Sequence, residues 1–517
     1  MGTRIEAVLR RHGTAIALAV FALTALLGVL ARPLLPIDET RYLAVAWEMW
    51  RTGNLLVPHL DGALYSHKPP LLFWLMDLGW LATGVNETSA RLVGPVFGLG
   101  MIAATSLLGR RLWPEEPGLG GRAALLLTGM IGFTAYAGLT MFDTMLGLAV
   151  LLGVLALGGA ADGRRGWIGL GLAIGLGVLA KGPVILVHLL PVALATPLWA
   201  GVAARRLPAG IGIALLVGLA VVALWLVPAL ILGGPDYRQA VLWTQSAGRV
   251  ADAFAHARPW WFFLALLPGL LWPWLWSAPF WTRLARAPLR RDAGLRLCAI
   301  WGLATLLLFS LISSKQAHYL LPALPAVALA LARSLGPDRL RAPAAALLPA
   351  ILGLALLGIA VGLVPARDFA AAAQPAWAVA VTGLALLVVA AAALWLNGYA
   401  LFLLGPALVL AVTLLFALGG PGRDYSAAAI AARIAPFDST GIAFLGDYNG
   451  EFNFAARLRH PVAELDDLDA ATAWRAAHPE GALIARLDRP HPDTPPQAEI
   501  IYRDRTYGLW LGAPTTP

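Results

Sequence analysis

Charge is what this chain has least of. Only 13% of its 517 residues are Asp, Glu, Lys or Arg, against about 25% in a soluble globular domain. With 59% hydrophobic residues and a mean hydropathy of +0.73, that shortage excludes a cytosolic enzyme and a disordered protein. Cysteine is nearly absent. A lone Cys298 excludes an internal disulfide framework and any Cys-based metal site. Lysine is almost as rare: Lys68, Lys181 and Lys315 stand among 35 arginines. The formal charge of +9 is therefore an Arg excess over the chain's few acids, not a nucleic-acid footprint.

What the chain does have is long apolar runs with no Lys and at most one Arg, and a span needs about 20 such residues. Thirteen runs qualify: 14–35, 91–109, 122–141, 144–160, 166–180, 183–203, 209–232, 259–281, 297–313, 319–335, 343–364, 374–396 and 399–419. The first follows basic residues, as a signal peptide does, but twelve more runs come after it, so it reads as a retained anchor. Pro69–Thr83 is apolar yet short and contains Asp77, which suits a helix lying in the interface. Counting it as a span would move Arg110-Arg111, Arg164-Arg165 and Arg205-Arg206 to the outside, against the positive-inside rule. Thirteen crossings with an inner N-terminus put the loop 36–90 and the C-terminus outside.

The composition changes near Gly420. From there on, nine Arg face thirteen acids, a net −4, while the first 419 residues carry +13. Gly441–Leu445, Ala482–Leu487, Ile500–Arg503 and Tyr507–Leu511 read as strands, and Ser426–Ile434 and Ala470–Ala477 as helices. The expected architecture is an all-α polytopic membrane protein of about thirteen transmembrane helices (residues 1–419), with a small periplasmic α/β domain (420–517). Its expected setting is a membrane, with the loop 36–90 and residues 420–517 on the same outer side.

Transporters bury ionisable groups in their spans, and here His188 is the one exception, read as a packed, hydrogen-bonded side chain. Polar chemistry gathers instead at Asp38–Arg91, Asp143, Lys181, Asp236–Arg258 and Lys315–Tyr319, all outside on this topology. After Pro36 a helix is expected, with Leu43, Ala46, Trp47 and Trp50 on a stripe suited to the membrane interface. Asp38 and Arg41 lie one turn apart and can present together. Asp38 in such a place also suits a plain helix N-cap. The Trp-rich stretch from Trp260 to Trp281 reads as an interfacial belt.

The run Asp38-Glu39-Thr40-Arg41-Tyr42, then Val57-Pro58-His59-Leu60-Asp61-Gly62, Tyr65 followed by Lys68-Pro69-Pro70-Leu71, and Glu87 to Leu92 resembles the bacterial lipid A aminoarabinose transferases. These group with the protein O-mannosyltransferases among the polyprenyl-phosphate-dependent, GT-C-type membrane glycosyltransferases. Asp143, Lys181-Gly182-Pro183, Ser314-Lys315 and Tyr319 to Pro322 continue the resemblance through the first 330 residues. The resemblance implies a polyprenyl-phosphate-linked sugar donor, a lipid or glycan acceptor and an active site built on the loop 36–90. It implies Asp38 and Asp143 as catalytic residues. Glu39, Arg41, Tyr65, Lys68, Arg249, Lys315 and Tyr319 are then expected to bind substrate, with Lys181 the least certain of the three lysines. Where the family's pattern has a metal-associated Glu, this chain has His67. A divalent metal is thus an open expectation, with His67 and His256 as candidate ligands or simply solvated loop residues. No other cofactor and no nucleic acid is expected.

Overall fold

The computed structural model describes residues 2–161, 163–242, 258–335, 340–365 and 375–512. Most of the chain is helical. The helices that position the site are α1 (Gly2–Ala31), α2 (Asp38–Thr52), α3 (Leu71–Thr83), α4 (Glu87–Leu112), α5 (Leu119–Gly129), α6 (Ile131–Ala137), α7 (Phe142–Leu157) and α8 (Arg164–Lys181). Eight helices among the described residues are long and apolar enough to cross a membrane, or nine if α6 and α7, bent by 117°, count as one span.

Those eight correspond to eight of the thirteen apolar runs; the other five are short, broken or charge-flanked. Run 122–141 is split at Met130, whose extended backbone separates α5 from α6. Run 183–203 yields the ten-residue helix Ile185–Leu194, with Pro191 inside it. Run 259–281 yields Phe262–Leu270 and then shorter turns around Pro273. Proline removes a backbone donor and clashes with the preceding turn, so a run can be apolar throughout and still break. Within run 259–281, Trp260, Trp261 and Trp281 are exposed as an interfacial belt would be. Trp272 and Trp274 are not. Both are buried, and their indoles donate to the Ala345 carbonyl at 3.0 Å and the Leu126 carbonyl at 2.8 Å. His188 is packed as expected, 3.3 Å from the Thr305 hydroxyl and against Phe309.

Between α2 and α3 lies a two-residue hairpin, β1 (His59–Leu60) and β2 (Ala63–Leu64), turned at Asp61-Gly62 with positive φ at both. After residue 420 the chain forms a five-stranded mixed sheet of β3 (Ile442–Leu445), β4 (Ala463–Leu465), β5 (Ala482–Arg486), β6 (Ala498–Tyr502) and β7 (Arg505–Leu511), in the order β4-β3-β5-β7-β6. β3 runs parallel to β4 and β5; β7 runs antiparallel to β5 and β6. All four strands read from the sequence are present, as are both helices, at Ala428–Ile434 and Leu468–Ala477. The short β4 and the helix Asn453–Ala456 carry no clear sequence period.

The stripe on α2 does not face the membrane interface. Leu43 and Ala46 are fully buried. Trp47 donates to the Leu458 carbonyl at 2.9 Å, Trp50 meets Trp80 edge-on, and Trp80 stacks on Phe454 at 5.6 Å. The cover is protein from beyond residue 450, reinforced where Asp61 accepts hydrogen bonds from Asn453 at 2.6 Å and from the Val462 N–H at 3.1 Å. Burial pushes the Asp61 carboxyl up to about 6, despite those donors.

Candidate active site

The frame of the site is an ion pair. Arg32, just past α1, grips Glu39 in the first turn of α2, with both side chains almost completely buried. The Glu39 carboxylate also accepts from the second Arg32 guanidinium nitrogen at 2.9 Å, from the Leu35 N–H at 2.9 Å and from the Thr140 N–H at 3.0 Å. Burial alone would raise the Glu39 pKa, but Arg32, Arg91 and these donors hold it at about 2. Arg91 on α4 donates to the Arg32 carbonyl at 2.9 Å and accepts Thr140 against its own carbonyl. One carboxylate thus ties the end of α1, the start of α2 and the bend before α7. Glu39, expected among the substrate-binding residues, has its oxygens taken up by donors of the protein itself.

Breaking a buried pair leaves a charge uncompensated, at a cost of roughly 3–5 kcal/mol. Glu39→Ala is expected to lower the thermal unfolding temperature markedly in detergent, with Glu39→Gln less damaging. Because the folded pKa lies below the unfolded value of about 4.3, this contribution is present above pH 4 to 5. It is lost as pH falls toward 2. A parent-like unfolding temperature for Glu39→Ala would remove Glu39 from the frame.

Close packing sets the bend. A Cβ on Gly94 of α4 would lie 2.2 Å from the Leu139 carbonyl oxygen, so only glycine lets α4 reach residues 139–141. The chain turns there and α7 starts at Phe142, which brings Asp143 to the end of α1 that carries Arg32.

Around this frame the polar side chains converge. Asp38 accepts from Arg41 at 2.8 Å and from the Tyr42 hydroxyl at 3.1 Å, and its side chain is half exposed. It caps no helix: the N-cap position is Ile37, and no side chain bonds the first turn. Tyr65 is buried beside Arg41, with its hydroxyl and the Arg41 Nε lacking hydrogen-bond partners. Burial pushes the Tyr65 phenol up to about 12, with Arg41 opposing and Asp38 adding. Tyr42 packs edge-on against Phe142, and the Lys68 ammonium lies 5.7 Å from the same ring.

Asp143, the next residue, is buried and meets Lys181 at 2.5 Å, with His318 at 3.7 Å on its other oxygen. Lys181 in turn lies over the Tyr319 ring at 4.7 Å. Asp38, Arg41, Tyr65, Lys68, Asp143 and Tyr319 therefore share one region, and Lys181, the least certain lysine, is inside it. Lys315 is turned elsewhere. It is buried and donates to the Arg258 carbonyl at 2.9 Å, which ties down the chain leading into Phe262–Leu270.

Tyr42 closes the run that begins at Asp38 and His318 adjoins Tyr319, but the sequence assigned neither a role. Glu451 was missed altogether. It is buried after β3, bonded by the Asn449 N–H at 2.8 Å, and Arg503 lies 3.7 Å away. Burial raises its pKa, with Arg503 and Arg41 opposing. The chain beyond residue 450 thus brings an acid toward Arg41. Arg249 and His256 lie outside the described residues. Among the described residues no three His, Cys, Asp or Glu side chains converge as a metal site; His67 sits beside the Tyr65 ring at 5.4 Å. The described residues do not fit a bound metal.

Apolar helices with a polar cluster gathered at one end define a multi-pass membrane protein with a terminal site. A family profile described as dolichyl-phosphate-mannose-protein mannosyltransferase matches residues 67–227, from beside Lys68 past Lys181. A Pseudomonas fluorescens Pf0-1 protein, undecaprenyl phosphate-alpha-4-amino-4-deoxy-L-arabinose arabinosyl transferase 2, is 33% identical over 346 residues. That match covers 64% of this chain and 61% of the relative. The Pseudomonas aeruginosa PAO1 protein named for the same activity is 33% identical over 366 residues, 68% of this chain and 65% of its own length. The chain therefore spans less than two thirds of these relatives. The crystal structure of ArnT from Cupriavidus metallidurans bound to undecaprenyl phosphate superposes with a TM-score of 0.72 at 21% identity. It covers 97% of this chain and 99% of that one, a likeness of fold. The chain is thus similar to the aminoarabinose transferases over much of its length and to the protein mannosyltransferase family over residues 67–227.

Proposed function

We propose that this protein is a membrane glycosyltransferase that moves a sugar from a polyprenyl-phosphate donor to an acceptor on the periplasmic side. The observation that carries this reading is the convergence of Lys68, Arg41 and the Asp143–Lys181 pair around a half-exposed Asp38. In such a transfer the bond between the anomeric carbon and the phosphate oxygen breaks, and the leaving phosphate gains negative charge. Fixed cations near that oxygen stabilise the transition state more than the ground state. Lys68 and Arg41 supply them. Asp38, open to solvent and held by Arg41 and Tyr42, takes the proton of an acceptor hydroxyl. Asp143 is closed in by Lys181 and orients that ammonium beside the Tyr319 ring.

The relatives' names favour an undecaprenyl-phosphate-linked 4-amino-4-deoxy-L-arabinose donor and a lipid A-like acceptor. The same chemistry on another glycan, lipid or protein is the alternative. Mass spectrometry of lipid A and surface glycans from a deletion strain tests this: one sugar should be missing from a single acceptor class. An unchanged profile under conditions of full expression would sink the assignment. A transporter or export protein is the contrasting reading, and the scarcity of charge in the spans disfavours it.

For the architecture, thirteen crossings of residues 1–419 with residues 420–517 outside keep the inner arginines on one side. Single cysteines at the exposed Gly53 and Ala473 should then react with an impermeant thiol reagent from the periplasm, and one at Gly163 should not. Labelling at Gly163 in intact cells would break this topology.

A further inference from the structure

A second polar region lies at the far end of the bundle. From Arg11 to Ala31, α1 runs about 30 Å, at 1.5 Å per residue, and finishes beside Arg32 in the frame of the site. α4 begins near that frame at Glu87 and runs the other way, ending at Leu112. The start of α1 and the end of α4 therefore meet at the end opposite Asp38 and Asp143. There the backbone at His12 leaves helical geometry (φ −120°, ψ 15°), making an elbow. Beyond the elbow α1 presses on α5, where a Cβ on Gly13 would lie 2.9 Å from the Gly121 carbonyl oxygen. Thr14 and Ser106 hydroxyls meet at 2.7 Å.

Between the elbow, the end of α4 and the loop into α5 is a cavity of about 880 Å³, with Arg11, His12, Thr14, Arg110, Trp113 and Glu116 in its wall. The acid in this wall is already engaged. Glu116 pairs with Arg122 and, at 2.6 Å, with Arg333. The guanidinium of Arg110 donates only to the Thr14 hydroxyl, at 3.4 Å, among the described residues. Arg11 has no ion pair among them. Trp113 is held rigid by Asp292, which accepts its indole N–H at 2.9 Å. The wall is thus a fixed apolar and aromatic surface carrying two arginines whose charge no described carboxylate offsets.

We propose that this cavity binds the phosphate of an anionic phospholipid from the leaflet opposite the candidate active site. Arginine offers phosphate a planar fork of donors, and basic pockets between membrane helices suit anionic headgroups. The volume is far beyond what a single ion needs and leaves room for a headgroup and its glycerol. Ala15, Leu18 and Pro114 continue the wall with apolar surface for the first acyl carbons. Arginines gather at inner helix ends in any such protein; what separates these two is that they line one cavity from two different helices.

The test uses the purified full chain in neutral detergent, titrated with phosphatidylglycerol, with phosphatidylcholine or with inorganic phosphate, and read by native mass spectrometry. The parent should retain one phosphatidylglycerol in preference to phosphatidylcholine. Arg11→Gln with Arg110→Gln should bind it roughly tenfold or more weakly. The control Arg164→Gln with Arg165→Gln removes the same charge from another loop and should bind like the parent. Should the first double variant fold poorly, Arg110→Gln alone should still show a clear loss. Parent-like binding by the Arg110 variants, or equal loss in the control, would overturn the proposal. So would equal retention of the two lipids, or saturation by inorganic phosphate alone.

Discussion

Lys68→Ala should lower transfer from the polyprenyl-phosphate donor by about 10²- to 10³-fold, the cost of removing one preorganised group that meets developing charge. Lys68→Arg should fare almost as badly. The ammonium is a compact point charge held over the Phe142 ring, just before Pro69-Pro70, and a planar fork cannot occupy the same spot. Both variants should lose kcat and kcat/KM together, because the interaction strengthens as the bond to phosphate breaks. The unfolding temperature should stay near the parent's, since Lys68 is only partly buried. If Lys68→Arg turns over like the parent, Lys68 is a generic interfacial charge and the phosphate site lies elsewhere.

Asp38→Asn should cost about 10²- to 10⁴-fold with a hydroxyl acceptor, the range for loss of a general base. Asparagine keeps an oxygen that can accept from Arg41 and Tyr42, so the local geometry should survive. No backbone cap is lost, because Asp38 bonds no N–H of α2. Expression and thermal stability should therefore remain close to the parent's while transfer collapses. Retained transfer alongside reduced folding yield would assign Asp38 a structural part only.

The residues around the site were largely legible because they stand in compact motifs. Asp38, Arg41, Tyr65 and Lys68 all fall between 36 and 70, and Asp143, Lys181 and Tyr319 head or close apolar runs. What could not be read was who pairs with whom. Arg32 looks like any charge flanking a span, and nothing local says that it closes on Glu39. The α2 stripe shows the same limit: Trp47 reads alike whether lipid or protein covers it, and its partner Leu458 is 411 positions away. Trp272 and Trp274 were misplaced for that reason too. Span counting reaches further than the eight or nine long helices among the described residues, since hydropathy registers apolar length but not the breaks at Met130, after Leu194 and around Pro273. The tail's strands were legible from short alternating runs, whereas Glu451 lies in a loop whose approach to Arg41 depends on the whole assembly.

The most direct test is a transfer assay on the purified full chain in detergent, with a polyprenyl-phosphate-linked labelled sugar and a lipid acceptor, and no membrane barrier present. Detergent abolishes any compartment across which a carrier could move its cargo, so only bond transfer can yield a labelled acceptor. The account predicts time-dependent label in the acceptor with matching release of polyprenyl phosphate. It also predicts loss of both in Lys68→Ala and Asp38→Asn. Release and labelling absent in detergent, together with uptake of intact donor by sealed vesicles containing the same protein, would contradict it.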